Sequence, residues 1–224
     1  MFVLLSYKID CLTPIYGGRK GFFSESASSI ESGDTANTSK WEFPNHIGTH
    51  IDFPYHFYQN GQTIDDFTEK FWIFSGKKIQ ILEVNLPEKE TLIGPQHIKG
   101  SKYNVDTEFL ILKTNSGTYR HEEKYWMFNP GLSIQFCDWA INNFKKLRII
   151  GIDSISISSW QQRDIGRKAH KKLLNPKNPI LIIEDMNLLP ITADTIFKNL
   201  YVAPLFVSKS DGTPCTIFAE VKRL

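Results

Sequence analysis

The sequence has few cysteines, almost no net charge and no long hydrophobic run, and each shortage excludes a class of protein. Its three cysteines, Cys11, Cys137 and Cys215, form no C-x-x-C pair, which argues against a disulfide framework and predicts a cytoplasmic location. The formal net charge of +2 argues against a nucleic-acid partner. No segment approaches the ~18 apolar residues of a membrane span, and the first residues lack the basic region of a signal peptide. We therefore expect no membrane partner.

Glycine-rich phosphate-binding motifs are also missing, since neither G-x-x-x-x-G-K-[ST] nor G-x-G-x-x-G occurs, so nucleotide binding has no support. What is present is an ordinary globular composition, with 41% hydrophobic and 22% charged residues over 224 positions. A chain of this length can bury a substantial core. We expect residues 1–224 to form a single domain.

The hydrophobic pattern predicts an α/β fold with a mixed sheet. Residues 78–84 alternate as a half-buried strand does, and three near-continuous apolar runs indicate strands that are buried on both faces. Helical patterns lie between the runs, and two strands joined by a turn at Asp211-Gly212 are expected near the end of the chain. The apolar runs are 109–112, 147–152 and 180–183, the helices 133–144 and 166–174, and the last strands 200–207 and 213–221.

Residues 17–45 form the one long stretch with little hydrophobic pattern. The stretch is rich in Ser, Gly and Thr and has few aliphatic residues. A loop of this length inside a compact domain is usually functional or mobile. Because it runs directly into the histidine-rich window described next, we expect it to be an active-site loop that covers the substrate, with plain disorder as the alternative.

Three of the six histidines fall between residues 46 and 56. Neutral imidazole is the commonest metal ligand in proteins, and a nearby carboxylate suits a divalent ion. Residues two apart in an extended segment point to the same face, so His50 and Asp52 should lie side by side. Gly48 allows a tight turn that brings His46 towards His50. With His56 added, the window predicts three metal ligands and one nearby base.

The window resembles the signature of the metal-dependent cyclase family, which includes bacterial kynurenine formamidases and isatin hydrolases. The resemblance continues in residues 151–156, in His170 with residues 179–184, and in residues 210–214, so it spans nearly the whole chain. It implies the layered β/β/α fold of that family, of the swivelling type, with a mixed sheet. The residues that carry the signature are His46, Gly48, Thr49, His50, Asp52, Pro54 and His56.

Carried over by position, the resemblance implies one or two divalent metal ions per chain, zinc or manganese. His46, His50 and Asp52 would bind the first ion. Asp52 would bridge to a second ion that His170 also binds, and Glu184 would contact both. Glu184 follows a buried apolar run, so we expect it at the carboxyl end of a strand, where α/β sheets keep their binding crevices.

The same resemblance makes His56 the proton donor and acceptor of an enzyme. The leading hypothesis is a metal-dependent amidohydrolase of the arylformamidase type, which cleaves a carbon–nitrogen bond in a small amide, formamide or lactam. Tyr16, Trp41 and Phe53 lie on or beside the segments expected to border the metals, so we predict that they bind a planar or aromatic substrate. The turn at residues 16–18 departs from the family pattern, which leaves the identity of the substrate open.

Two other functions remain open at this point. The same metal chemistry could run the cyclisation or dehydration of a small metabolite, and a metal-bound binding protein would need no catalysis at all. His56 argues against the binding protein, because a pure metal site has no need of a nearby unligated base. The resemblance further implies a homodimer or homotetramer, with a small-molecule substrate as the other partner.

Overall fold

The protein is described from a computed structural model that covers residues 1–18, 21–98 and 103–222. Residues 19 and 20 of the predicted 17–45 loop lie outside the described residues. The α-helices are α1 (Lys124–Met127), α2 (Ile134–Asn143) and α3 (Arg163–Leu173). The strands are β1 (Phe2–Leu4), β2 (Phe23–Ser28), β3 (Thr38–Glu42), β4 (His50–Asp52), β5 (Ile73–Ser75), β6 (Ile79–Glu83), β7 (Leu92–Ile93), β8 (Phe109–Lys113), β9 (Gly131–Leu132), β10 (Ile149–Ile152), β11 (Leu181–Glu184), β12 (Phe197–Pro204) and β13 (Gly212–Val221).

A mixed sheet of nine strands forms the body of the molecule. Its order is β5-β12-β13-β4-β11-β10-β8-β6, and β1 also pairs with β13. Strands β6, β8, β10 and β11 run parallel to one another, whereas β4 and the strands beyond it pair antiparallel. This architecture confirms the predicted α/β class with a mixed sheet.

The three inner strands of the parallel half are buried on both faces, whereas the edge strand β6 is mostly half-buried. Every residue of β8, β10 and β11 is buried, as their near-continuous apolar runs predict. Helix α2 begins after Ser133, whose side chain accepts a hydrogen bond of 3.1 Å from the backbone N–H of Phe136. Its buried face, which includes Cys137 and Ala140, joins the hydrophobic core. Ser133 thus caps α2, which lies within the helix predicted over residues 133–144.

The antiparallel half differs from the prediction at its last turn. Strand β12 ends at Pro204 and β13 begins at Gly212, so a seven-residue connection replaces the expected Asp211-Gly212 turn. The side chain of Asp65 holds this connection, because it accepts hydrogen bonds from Ser208 Oγ and from the backbone N–H of Lys209. The apolar residues 205–207, expected inside a strand, are exposed in this connection.

Residues 17–45 contain a regular element that the sequence pattern does not reveal. Strands β2 and β3 pair into an antiparallel hairpin, and every residue of β3 is exposed. The hairpin is closed partly by polar contacts, such as the 2.6 Å hydrogen bond between Ser28 Oγ and Thr38 Oγ1. Because neither face of it packs into the core, no alternation of apolar and polar residues marks its strands.

The cysteines and the helices can be set beside the expectations drawn from composition. Cys11, Cys137 and Cys215 are free thiols, of which only Cys11 is exposed. Within the described ranges, no helix is long and apolar enough to cross a membrane.

Candidate metal centre

Strand β4 lies at the boundary between the parallel and antiparallel halves of the sheet. It pairs with β11 on one side and with β13 on the other. His50 stands opposite Glu184, and Asp52 stands opposite Gly212. Directly opposite residues in a sheet point to the same face, as do residues two apart on one strand. Strand register alone therefore brings the side chains of His50, Asp52 and Glu184 together.

Four buried side chains form what we call the inner cluster: His50, Asp52, His170 and Glu184. Each is at most 5% exposed. His50 Nε2 lies 3.3 Å from Glu184 Oε2 and 3.6 Å from Asp52 Oδ1. His170, on α3, places its Nε2 3.3 Å from Glu184 Oε1 and 3.5 Å from Asp52 Oδ2. Each imidazole thus faces one oxygen of both carboxylates, and the two imidazoles face different oxygens.

These separations fit ligands grouped around a divalent ion. Ligand atoms ~2.0–2.1 Å from a tetrahedral zinc ion are about 3.3–3.4 Å from one another. His50, Asp52 and Glu184 each offer a ligand atom, all within 4.8 Å of one another. The two imidazoles face different oxygens of the same two carboxylates, so both carboxylates lie between the imidazoles.

Backbone carbonyls fix the orientation of both inner imidazoles. His50 Nδ1 donates to the carbonyl of Gly48 at 2.8 Å, and His170 Nδ1 donates to the carbonyl of Gly166 at 2.9 Å. Metal-binding histidines commonly donate their second ring N–H in this way, which leaves the other nitrogen free for the ion. Gly48 has a φ of +58°, a left-handed conformation that suits glycine.

The Glu184 carboxylate is also fixed by hydrogen bonds from the segment that follows β10. Its Oε1 accepts hydrogen bonds from Ser156 Oγ at 2.9 Å and from the backbone N–H of Ile157 at 2.6 Å. Both donors follow β10, so the two neighbouring parallel strands hold this carboxylate between them. A buried carboxylate needs such partners, because burial without them is costly.

Three partly exposed side chains form the outer cluster: His46, His56 and Asp211. Asp211 Oδ2 accepts from His46 Nε2 at 3.0 Å and from His56 Nδ1 at 2.9 Å. The other ring nitrogen of His46 lies 2.9 Å from Asp52 Oδ1, which connects the two clusters. A Cβ atom at position 212 would lie 2.4 Å from the His46 ring, so Gly212 gives that ring its place. His46, Asp52 and His56 also offer a second group of ligand atoms within 4.8 Å.

The carboxylates around the imidazoles of the site favour the protonated form of those imidazoles. Burial alone would lower the pKa of His170, but its hydrogen bonds to Asp52 and Glu184 raise the pKa to about 10. Burial likewise opposes the charge on His46, yet Asp211 and Asp52 raise its pKa to about 10. Although burial would raise the pKa of Glu184, His170 and His50 lower it to about 2. The protons thus occupy positions between acid oxygens where a divalent cation could replace them.

A cavity of about 340 Å³ opens onto both clusters. All six residues predicted as metal ligands or as the base line it, and so does Tyr16. Burial and the nearby charge of Glu184 raise the pKa of Tyr16 to about 12, and its hydroxyl has no hydrogen-bond partner in the described part of the chain.

Trp41 and Phe53, predicted with Tyr16 to bind substrate, do not line this cavity. Trp41 lies on β3 of the exposed hairpin and is 66% exposed. Phe53 is fully buried and packs against Phe67 and Trp72, because its side chain points to the face of β4 opposite Asp52. The prediction for these two residues is therefore corrected for a single chain. Phe53 serves the core, and Trp41 remains at the surface.

Two contributions to the site were missed in the sequence. The sequence predicts Asp211 only as part of a turn with Gly212, and the signal for a role in the site is its place within the 210–214 segment of the family resemblance. Arg163 and Arg167 line the cavity from α3. Their signal is the spacing of four and then three residues that leads to His170, which places all three on one helix face.

Asp185, next to Glu184, anchors the end of β11. Its carboxylate is buried and accepts two hydrogen bonds from the Arg120 guanidinium and one from the Tyr125 hydroxyl. Its carbonyl accepts from Thr49 Oγ1 at 2.6 Å, which ties β11 to the residue before β4. Asp185 adopts a left-handed φ of +51°, an unusual conformation for a residue other than glycine. This network holds the backbone on which Glu184 stands.

Comparisons with known proteins place the chain among enzymes of one kind. The family model named Cyclase matches residues 3–159. The kynurenine formamidases of Bacillus cereus and Bacillus thuringiensis subsp. konkukian are 27% and 28% identical to this chain over 197 residues, which cover 88% of it and 86% of each relative.

Solved structures show that the fold is shared. Isatin hydrolase A from Labrenzia aggregata, solved with benzyl benzoate, superposes with a TM-score of 0.78 at 18% identity and covers 98% of this chain and 93% of that one. A structure from Bacillus stearothermophilus, described as a predicted metal-dependent hydrolase, has a TM-score of 0.70 at 17% identity, with coverage of 98% of this chain and 97% of that one.

Proposed function

Since this chain belongs to the Cyclase family, we propose that it is a metal-dependent hydrolase that cleaves a carbon–nitrogen bond in a small planar or aromatic amide, formamide or lactam. The relatives named kynurenine formamidase and the fold neighbours named isatin hydrolase support this reaction class. The single observation that carries the proposal is the inner cluster, in which two fixed imidazoles share two buried carboxylates at ligand-to-ligand distances.

The proposed ligands are the five residues named from the sequence. His46, His50 and Asp52 would hold one divalent ion, and Asp52 and His170 a second, with Glu184 contacting both. The use of different carboxylate oxygens by His50 and His170 supports two ions per chain. Imidazole and carboxylate ligands suit zinc and manganese alike.

His56 is the proposed general base and general acid. A divalent ion in this site would supply Lewis-acid activation of a water molecule and of the scissile carbonyl at neutral pH. Asp211 accepts a hydrogen bond from His56 Nδ1, which leaves Nε2 of that ring free to take a proton. His56 would take the proton of the attacking water and pass it to the leaving nitrogen, a contribution typically worth ~10²–10⁴-fold in rate.

Tyr16 is the proposed aromatic contact for the substrate. It lines the cavity and packs edge-to-face on Trp160, with ring centroids 5.0 Å apart. This contact fixes a flat aromatic wall beside the metal ligands, which favours a planar substrate by stacking. The cavity of about 340 Å³ is at the small end of the ~300–1,000 Å³ typical of ligand pockets.

The reaction class is tested with the metal-loaded protein. N-formyl anilines, isatin and cyclic imides are assayed beside aliphatic amides and lactones, with Asp52→Ala as the control that should lack bound metal. We expect hydrolysis of at least one planar carbon–nitrogen substrate and none by the control. Activity confined to lactones or to aliphatic substrates would overturn the substrate class and leave the metal site standing.

We also propose a homodimer or homotetramer in the cytoplasm. The exposed hairpin with Trp41 at its surface offers a contact to a second copy, and the three free thiols suit a reducing compartment. Light scattering at micromolar concentration tests the assembly, and a monomer there would refute it.

A further inference from the structure

Two arginines share one face of α3 with the inner-cluster histidine. Arg163, Arg167 and His170 are spaced by four and three residues, the spacing that aligns side chains along a helix. All three line the same cavity. At a rise of ~1.5 Å per residue, Arg167 and Arg163 stand roughly 4.5 and 10.5 Å from His170 along the helix axis. Cationic groups therefore extend from the metal centre along one wall of the cavity.

Arg163 is held in place without a neutralising partner. Its Cζ lies 4.7 Å from the centroid of the Trp160 ring, and Trp160 in turn packs on Tyr16. In the described residues no carboxylate forms an ion pair with Arg163. Stacking on an aromatic ring orients a guanidinium and leaves its N–H donors available. Arg163 is thus a preorganised cation at the cavity.

Arg167 has a partner, but a weak one. It forms an ion pair with Asp164, whose side chain is 87% exposed, while that of Arg167 is 58% exposed. Ion pairs between exposed side chains contribute little free energy, so a ligand can compete for this guanidinium. The buried Tyr16 hydroxyl, which lacks a partner in the described ranges, adds a further donor at the same cavity.

We propose that the substrates of this site carry an anionic group, such as a carboxylate, in addition to the amide that is cleaved, and that Arg163 binds this group with help from Arg167. The inference rests on the hydrolase function proposed above and narrows its substrate class. Arginine binds carboxylates through two parallel N–H donors, a geometry that a neutral substrate cannot use. A substrate that also carries an ammonium group should bind less tightly than a purely anionic one, because both guanidinium groups repel the ammonium charge.

Matched substrates test the proposal with the metal-loaded protein. Formanilide is compared with 3- and 4-formamidobenzoate, which place a carboxylate away from the amide. We expect at least one acid to exceed formanilide about 10-fold or more in kcat/KM. Arg163→Gln should lower kcat/KM for that acid about 10- to 100-fold, mostly through KM, and should change formanilide less than about 3-fold.

Two further variants separate recognition from structure. Lys168→Gln removes a charge from the same helix at an exposed position outside the cavity, and we expect it to leave both substrates unchanged. Arg163→Lys keeps the charge without the two parallel donors and should restore part of the preference for the acid. Equal losses on acid and neutral substrates in Arg163→Gln would overturn the anion site, as would a wild type without preference.

Calorimetry separates failure of the anion site from failure of the proposed reaction. Binding of 4-aminobenzoate and of aniline is measured on the wild type, Arg163→Gln and Lys168→Gln, each loaded with metal. Arg163-dependent binding of 4-aminobenzoate without hydrolysis of any formanilide would keep the anion site and reject amide hydrolysis. Hydrolysis of a formanilide, together with binding of 4-aminobenzoate that does not depend on Arg163, would keep amide hydrolysis and reject the anion site.

Discussion

The inner and outer clusters contain two histidines each and differ in what holds those histidines. In the inner cluster, His50 and His170 are buried and donate Nδ1 to backbone carbonyls, so each ring has one orientation, with its Nε2 directed at Asp52 and Glu184. In the outer cluster, His46 and His56 are partly exposed and share one carboxylate, Asp211. A backbone carbonyl is a neutral acceptor that fixes which ring nitrogen carries the hydrogen. A carboxylate is negatively charged, so it also stabilises the protonated imidazolium.

This difference suits the two clusters to two different functions, the binding of an ion and the transfer of a proton. Rigid, buried imidazoles with fixed tautomers suit the binding of an ion, for which small displacements are costly. An imidazole that is accessible and paired with a carboxylate suits proton transfer, because both of its protonation states are supported. His46 belongs to both arrangements, since its two ring nitrogens contact Asp52 and Asp211.

The largest effect is expected from Asp52→Ala, which breaks the link between the clusters. Asp52 contacts His46, His50 and His170, so its loss should remove every bound ion and all turnover. Elemental analysis of the purified variant measures the metal directly. Asp194→Asn, a change at an exposed acid, serves as the control and should retain full metal. Full occupancy in Asp52→Ala would contradict the proposed ligand set.

The next effect separates the two clusters. His56→Ala should keep most of its metal and lose ~10²–10⁴-fold in kcat, because only a proton-transfer group is removed. His50→Ala should lose both metal and turnover. Metal content and kcat are measured on the same preparations. Equal metal loss in the two variants would show that His56 is a ligand. In that case His46, Asp52 and His56, whose ligand atoms lie within 4.8 Å of one another, would be the ligand group.

A smaller effect is expected from Asp211→Asn, which keeps the shape of the outer cluster and removes its charge. The His56 ring loses its ionised hydrogen-bond acceptor, so kcat should fall about 10- to 100-fold while the metal content stays near that of the wild type. Asp65→Asn is a matched control, since Asp65 contacts the same connection away from both clusters. Comparable losses of kcat in the two variants would indicate disorder of the connection rather than loss of the acceptor.

The smallest effect concerns the metal-free protein and its dependence on pH. The pKa of His170 is raised to about 10 in the folded chain, above the ~6.5 of a free histidine. Its protonated form therefore stabilises the fold fully below pH ~6.5, and this stability is lost as the pH rises towards 10. Thermal melting of the protein after treatment with a chelator should show Tm falling as the pH rises from ~6.5 to 10. His170→Gln should make Tm less dependent on pH over that range. A Tm that rises with pH over the same range would contradict the assignment.

Local sequence pattern accounts for the inner cluster better than for the outer one. The two-residue spacing of His50 and Asp52 and the strand-end position of Glu184 follow from strand geometry, and His170 followed from resemblance to the cyclase family. The position of Asp211 in the outer cluster depends on the register in which β13 pairs with β4, and no local sequence pattern encodes that register. A residue that meets its partners 155 and 165 positions away becomes visible only in the folded sheet.

The aromatic residues and the hairpin show a second limit. Phe53 follows β4 by one residue, and the face on which an aromatic lies depends on strand parity, which places Phe53 in the core. Trp41 sits on a hairpin whose strands carry no hydrophobic alternation, because both of its faces meet solvent. The hydrophobic pattern of a sequence predicts the elements that pack into the core, but it does not reveal elements that remain outside the core.

The central position of β4 has a consequence for how the chain reaches its folded state. Its neighbours β11 and β13 both come much later in the sequence, so β4 has no strand partner until β11 has been synthesised and lacks its second partner until β13, the last strand, has followed. Contacts of such long sequence separation form slowly. An ion that binds only the completed arrangement shifts the equilibrium towards it, by ~2.7 kcal/mol at a hundredfold excess over Kd. Binding of the proposed ion would therefore make the amount of folded protein that survives quality control depend on the ion supply of the cell.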